Sequence, residues 1–273
     1  MSFQKGINAW CFPADISIQE MLRQAKTHGY QGVELNLGEG EAPFHLEMTE
    51  AELQAVAAQA RELGLELPSV STALLWKYPL TDNDESVREK GIRIVEKMLE
   101  AASVFGSKTV LVVPGLVTPE VSYDIAYERA REALKRLAKT AEEKRVSIGI
   151  ENVWNKFLLS PLEMARLIDE VDSPWVGAYF DVGNVLQFGF PEQWIRILGK
   201  RLLAVHVKDF KTATGNITGF VPLLAGDIPW ERVVEALNEV GYQGYVIPEI
   251  SPFSRLPEQL IAQTSQALDA IFQ

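Results

Sequence analysis

The chain has 273 residues, 47% of them hydrophobic, and a formal net charge of −11. That is enough apolar material for one large core or two modest ones, and the acidic balance argues against a nucleic-acid surface, which ordinarily carries a basic face. A single cysteine, Cys11, excludes an intrachain disulfide and any cysteine-based metal cluster.

Strand-like runs recur along the whole chain. They are predicted at GINAWCF (6–12), GVELNL (32–37), LELPSVST (65–72), TVLVVPG (109–115), SIGIENV (147–153), VGAYFDV (176–182), LLAVHVKDF (202–210) and GYVIPEI (244–250). Helical patterns lie between them. Ser17 with Glu20, and Thr49 with Glu52, have capping-box spacing; Ser160-Pro161-Leu162-Glu163 places an N-cap, a proline at N1 and a glutamate at N3. Gly29, Gly64 and Gly241 follow helical stretches and suit C′ positions, where the backbone turns left-handed before the next strand.

Eight β–α units with no linker, repeat or composition seam predict an α/β fold, a (β/α)8 barrel forming one domain over 1–273. A doubly wound sheet is the alternative, but strand one runs into Trp10-Cys11-Phe12-Pro13 without the glycine pattern that cradles a dinucleotide. The longest connections, 38–48, 73–83 and 211–228, follow strands two, three and seven. All leave the carboxyl ends, the face on which barrels build sites. No apolar stretch reaches the ~18 residues of a membrane-spanning helix, and the amino terminus, MSFQKGINAWCF, lacks a signal-peptide pattern. No membrane partner and a cytoplasmic location are expected.

Four residues stand at equivalent points near the ends of successive strands: Glu151, Asp181, His206 and Glu249. Alone, each has an ordinary reading as a helix cap, a loop ion pair or a core histidine. Together, on neighbouring strands of one barrel, they converge. Buried carboxylates are costly unless paired or metal-bound, and three carboxylates with one imidazole form a hard, mostly oxygen donor set suited to Mn²⁺ or Mg²⁺, with Co²⁺ a further candidate.

The stretches IENVWNKF (150–157), YFDVGNVL (179–186), VHVKDF (205–210), GDIPW (226–230) and GYQGYVIPEI (241–250) carry a family resemblance. Through them the chain resembles the xylose-isomerase-like superfamily of sugar isomerases and epimerases, which includes ketose 3-epimerases of the tagatose and psicose type, hydroxypyruvate isomerase and hexulose-6-phosphate isomerase-like proteins. The resemblance implies that Glu151, Asp181, His206 and Glu249 hold one divalent ion, Mn²⁺ first, with Mg²⁺, Co²⁺ or Zn²⁺ as alternatives. It also implies that Glu151 and Glu249 act as an acid/base pair on a ketose or ketose phosphate, and that the protein forms a homodimer or homotetramer. The chemistry is coherent: a divalent ion beside a carbonyl stabilises the charge that develops when the adjacent C–H is lost. Two flanking carboxylates then permit epimerisation or aldose–ketose isomerisation.

The chain departs from the tagatose-type pattern at Asn184, where those epimerases have a histidine, and near Lys208 and Lys211, where they have an arginine. Asn can hydrogen-bond a sugar hydroxyl but carries no charge. Further substrate contacts are expected from Trp10 and Glu34. Phe12 and Trp154 are candidate pocket walls, and Asn152 and Asn155 could orient Glu151 or form a loop turn. Lys208, Lys211, Ser251, Ser254 and Arg255 fall where barrels commonly hold phosphate, so a phosphorylated sugar is weakly favoured. An enolate-forming dehydratase and a non-catalytic sugar-binding barrel are the rival readings. An apurinic-site endonuclease is disfavoured, because His28, His45 and His206 cannot supply a histidine-rich, several-metal cluster.

Overall fold

A computed structural model describes residues 3–272. Residues 1, 2 and 273, included in the single domain expected over 1–273, lie outside the described residues, as does the start of the stretch read as lacking a leader. The strands are β1 (Gln4–Asn8), β2 (Gly32–Leu37), β3 (Ser69–Thr72), β4 (Thr109–Val112), β5 (Ser147–Glu151), β6 (Val176–Asp181), β7 (Leu202–Val207), the short β8 (Asp209–Phe210) and β9 (Phe220–Val221), and β10 (Tyr245–Pro248). Eight of them close a parallel barrel in the order β1-β10-β7-β6-β5-β4-β3-β2. The expected fold is therefore the observed one.

The helices are α1 (Ile18–Thr27), α2 (Glu50–Glu62), α3 (Leu74–Lys77), α4 (Glu85–Phe105), α5 (Tyr123–Lys144), α6 (Pro161–Val171), α7 (Val182–Val185), α8 (Pro191–Leu198), α9 (Trp230–Glu239) and α10 (Pro257–Phe272). Leu53, Val56, Ala57 and Ala60 of α2 are buried at helical spacing, and equivalent stripes on the other long helices cover the outward faces of strands. Caps form where the sequence places them. The Thr49 hydroxyl accepts from Glu52 N–H, and the Glu52 carboxylate returns a bond to Thr49 N–H. Ser17 and Ser160 accept from the N–H groups of Glu20 and Glu163, and Gly29, Gly64 and Gly241 all have positive φ. Among the described residues no helix is long and apolar enough to cross a membrane.

Strand ends differ from expectation, chiefly on the carboxyl side. The first run breaks after Asn8 because its side-chain oxygen accepts from Trp10 N–H at 2.7 Å and closes a tight turn, so Trp10 and Phe12 leave the strand. In 65–72, Pro68 has no N–H to give a ladder, and only Ser69–Thr72 forms β3. The run 202–210 divides: β7 stays in the barrel, while β8 turns out and pairs antiparallel with β9. Apolar content carried each prediction too far because buried residues such as Phe12, Leu67 and Phe210 continue past the barrel's hydrogen-bonded ladder.

Asp209 holds the long connection after β7 in place. It is buried and accepts from the backbone N–H groups of Phe210, Leu224 and Ile228 and from Trp230 Nε1. Gly226 lies against this carboxylate, where a side chain would collide with it. Asp209→Ala removes an acceptor shared by four donors. It should lower unfolding free energy by about 2–3 kcal/mol, since bonds to charged groups are individually worth roughly 1.5–3 kcal/mol, and should open 211–228 to limited proteolysis. Unchanged denaturation and cleavage would contradict this anchoring role.

Candidate metal centre and active site

The pleat of a strand sends alternate side chains to opposite faces, and the barrel register brings four of them to one point. Asp181 closes β6 and pairs with His206 of β7. Glu151 closes β5. Glu249 follows β10, tied back by its N–H to Val207 O at 3.2 Å. One ligand-type atom from each of the four residues lies within 4.8 Å of the other three. Glu151, Asp181 and His206 are buried, the last two at 0% exposure, and Glu249 is half-buried.

The atoms facing this point are short of hydrogen bonds. Glu151 Oε1, Asp181 Oδ2 and His206 Nδ1 are buried and make no hydrogen bond; His206 Nδ1 stands 3.6 Å from Glu151 Oε1 and 3.9 Å from Glu249 Oε2, beyond hydrogen-bonding range. Buried polar atoms are ordinarily hydrogen-bonded, so three that are not, aimed at one point in a mostly oxygen donor set, fit a divalent cation.

His206, Asp181 and Glu249 are each held by neighbouring groups. His206 Nε2 meets Glu34 Oε1 at 2.6 Å, which turns Nδ1 to the cluster. Glu34 accepts in addition from Asn8 Nδ2, Ser69 Oγ and Tyr179 OH, each at 2.5 Å. Gly149 gives Tyr179 its room, because a Cβ there would sit 2.9 Å from the Tyr179 Cβ. Asp181 spends Oδ1 on Asn184 N–H at 2.7 Å, capping α7, and leaves Oδ2 inward. Asn152 stitches β5 to β6, accepting from Asp181 N–H at 2.9 Å and donating to Asp181 O at 2.8 Å. Lys208 Nζ lies 3.2 Å from Asp181 Oδ2 and also pairs with Glu249. Gly183 permits that reach, since a Cβ would meet Lys208 Cγ at 2.5 Å.

The buried charges shift one another. Burial pushes Glu151 up to about 7, opposed by His206 and reinforced by Glu249 and Asp181. Burial also raises Asp181, with Lys208 pulling the other way. Burial alone disfavours a charged His206, yet Glu34, Glu151 and Glu249 hold its proton well above the usual histidine range. Glu34 itself is held below the ordinary carboxylate range: burial raises it, but His206, Ser69 and Tyr179 more than reverse the effect. For Lys208, burial is outweighed by Asp181, Glu249 and Glu151, which raise its affinity for the proton.

A cavity of about 750 Å³ opens above the cluster, with Glu151, Glu249 and Lys208 at its polar end. Trp10 and Asn184 line it, as the sequence reading expects of substrate contacts; the Asn184 amide N–H is spent on Asn152 O at 2.9 Å. Three expectations are corrected. Glu34 does not face the cavity: it is fully buried beneath His206, with all its acceptor capacity engaged by protein groups. Lys211 lies on the surface beyond β8, where the chain has already turned outward, and Arg255 is exposed ahead of α10; neither lines the cavity. Of the two readings given for Asn155, the structure takes the loop turn, with the side chain donating to Gly115 O and accepting from Phe157 N–H, while Asn152 bonds to Asp181. Sequence reasoning missed Tyr179 and Asn8 behind Glu34. The available signal was period two: Tyr179 stands two residues before Asp181 and shares its face.

The sequence matches the xylose isomerase-like TIM barrel family over residues 22–271. An L-ribulose-5-phosphate 3-epimerase of Salmonella paratyphi A is 27% identical, the match spanning 97% of this chain and 92% of that protein. Among solved structures, D-psicose 3-epimerase from Clostridium cellulolyticum H10 with D-tagatose superposes with a TM-score of 0.80 at 16% identity, covering 99% of this chain and 100% of that one. A D-tagatose 3-epimerase-like protein gives 0.83 at 19% identity, covering 99% and 97%. These two structures are similar in fold.

Glu34→Gln should weaken Mn²⁺ binding by about 10–100-fold, the usual effect of losing a carboxylate behind a ligating histidine, with the fold retained; calorimetric titration at unchanged affinity would remove Glu34 from this role. The raised Glu151 and His206 also predict a pH dependence. The Glu151 proton competes with a cation below about pH 7 and the more tightly held His206 proton from a higher pH, so affinity should fall as pH drops and binding should release protons. Titration in two buffers of different ionisation enthalpy reads that release, and pH-independent affinity between about 6 and 8 would contradict it.

Proposed function

The chain belongs to the xylose isomerase-like TIM barrel family, and within it we propose a divalent-metal-dependent enzyme that moves a proton at the carbon beside a sugar carbonyl, a ketose 3-epimerase. The observation that carries this reading is the convergence of three buried atoms that make no hydrogen bond, on Glu151, Asp181 and His206, with Glu249 at the polar end of a cavity. The near full-length match to a curated 3-epimerase supports it.

Glu151, Asp181, His206 and Glu249 would hold the ion, and Mn²⁺ suits their hard donors and single imidazole. When bound, it would polarise the substrate carbonyl and so acidify the neighbouring C–H. The protein supplies the rest. β5 and β10 are separated in the barrel by β6 and β7, so Glu151 and Glu249 approach the cavity from different sides. One takes the proton from C3 and the other returns a proton to the opposite face, which inverts that carbon without oxidation or loss of water. A carboxylate that ligates through one oxygen keeps the second free for this work. Lys208, beside Glu249 and Asp181, limits the repulsion among the carboxylates and steadies the orientation of Glu249. The aromatic wall offers an apolar contact to the C–H surface of a sugar.

Glu249→Gln and Glu151→Gln should each lower turnover by about 10²–10⁴-fold, the usual contribution of a positioned acid or base. Metal content is to be checked in parallel, because both residues are also ligands. Solvent deuterium entering C3 of a ketose, followed by NMR in D₂O, is the direct assay. Wild-type turnover in either variant, or a dehydrated product from the unaltered protein, would overturn the assignment.

A further inference from the structure

Proton transfer engages one end of the substrate, and the cavity walls meet the other. Five aromatic residues stand around the opening: Trp10 after β1, Trp76 on α3, Trp154 after β5, Phe220 on β9 and Phe253 ahead of α10. Trp76 is 45% exposed and Ile217 66% exposed, so apolar surface continues to the rim, where a ligand would cover it. The polar wall residues Thr72, Asn184 and Ser251 are few and neutral.

Among the described residues lining the cavity, the single cation is Lys208. Its ammonium is already engaged by Glu249 and Asp181. A phosphate dianion needs free cations or a set of converging N–H donors, and without them its desolvation beside three carboxylates is costly. The two segments that hold phosphate in many barrels, after β7 and after β10, carry instead Ile217, Phe220, Val221 and Pro222 on one side and Ile250, Ser251 and Phe253 on the other. No glycine lies between Glu249 and Pro257 to form a backbone cradle, and Pro222 and Pro252 lack N–H groups. A volume of about 750 Å³ falls in the upper part of the range, roughly 300–1,000 Å³, of pockets that take drug-sized ligands.

Resting on the proton-transfer reading above, we infer that the substrate is an uncharged ketose whose end remote from the reacting carbons is apolar, and that terminal phosphates are disfavoured. The aromatic faces suit the C–H surface of such a sugar. The reaction is unchanged in balance: a C3–H bond breaks, another forms on the opposite face, and no co-reactant enters.

The test uses the full chain loaded with Mn²⁺ and follows deuterium incorporation at C3 by NMR. The panel holds a free pentulose and hexulose, their terminal phosphates, and a 6-deoxyhexulose. The inference expects kcat/KM for the free and deoxy sugars to exceed that for the phosphates by on the order of tenfold or more. Phosphates preferred, or equal to the free sugars, overturn it while leaving the proton-transfer reading intact. No exchange with any member overturns both. Trp76→Ala, at the rim and away from the reacting groups, should raise KM for the 6-deoxy sugar several-fold with little change in kcat; an unchanged KM overturns the apolar-end assignment. Ile217→Lys, which supplies the missing cation, should lower KM for the phosphates, and failure to do so counts against charge as the discriminator.

Discussion

Burying like charges side by side is among the most expensive things a fold can do, several kcal/mol per ion after relaxation, and three carboxylates meet here within one cluster. Much of the local architecture follows from that cost. Lys208 threads over Gly183 to stand between Asp181 and Glu249. His206 stands between Glu34 below and the other carboxylates above. Asp181 gives one oxygen to a helix N–H and exposes only the other. What these devices leave uncompensated is the inward-facing set of atoms, and a divalent cation is the chemical complement of that remainder.

The barrel makes such concentration possible through the pleat. His206 of β7 and Lys208 just beyond it face the interior two residues apart, with buried Val207 between them. Asp209, one residue further, turns away from the cluster and anchors the loop that supplies Phe220 and Pro222 to the cavity wall. One run of residues thus serves the ion cluster on one side and the substrate enclosure on the other. The network beneath, centred on Glu34, is fully satisfied by Asn8, Ser69, Tyr179 and His206. Satisfied networks of this kind rigidify their surroundings, which is what a metal ligand must have if its geometry is to persist through turnover.

The relationship to known 3-epimerases bears on chemistry more than on substrate. At 27% identity along nearly the whole chain, the strand ends that carry Glu151, Asp181, His206 and Glu249 can persist while the loops above them diverge, because a barrel separates its framework from its connections. The cavity wall here is aromatic and proline-bearing, with its one cation engaged in the cluster. The site thus separates into a cluster carried on strand ends and a wall built from the connections above them.

Much of the site was legible in the sequence because strand ends are legible. Short β-rich runs with regular spacing placed Glu151, Asp181, His206 and Glu249 at equivalent positions, and barrel closure then made their convergence a matter of geometry. Capping residues such as Thr49 and Ser160 likewise declare themselves locally, since their partners lie three residues away. Glu34 could not be read correctly, because its four partners come from β1, β3, β6 and β7, and only the closed barrel shows that their inward faces meet. Lys211 and Arg255 failed for a related reason: sequence proximity to His206 and Glu249 says nothing of where a loop turns, and the turn at Asp209 was decided by four hydrogen bonds from residues up to 21 positions away. Local periodicity determined the elements and which four ligand-type residues stand at their ends. Tertiary packing alone decided which charges were paired, which were left open, and what kind of surface a substrate meets, because those depend on neighbours that the chain brings together only when it closes.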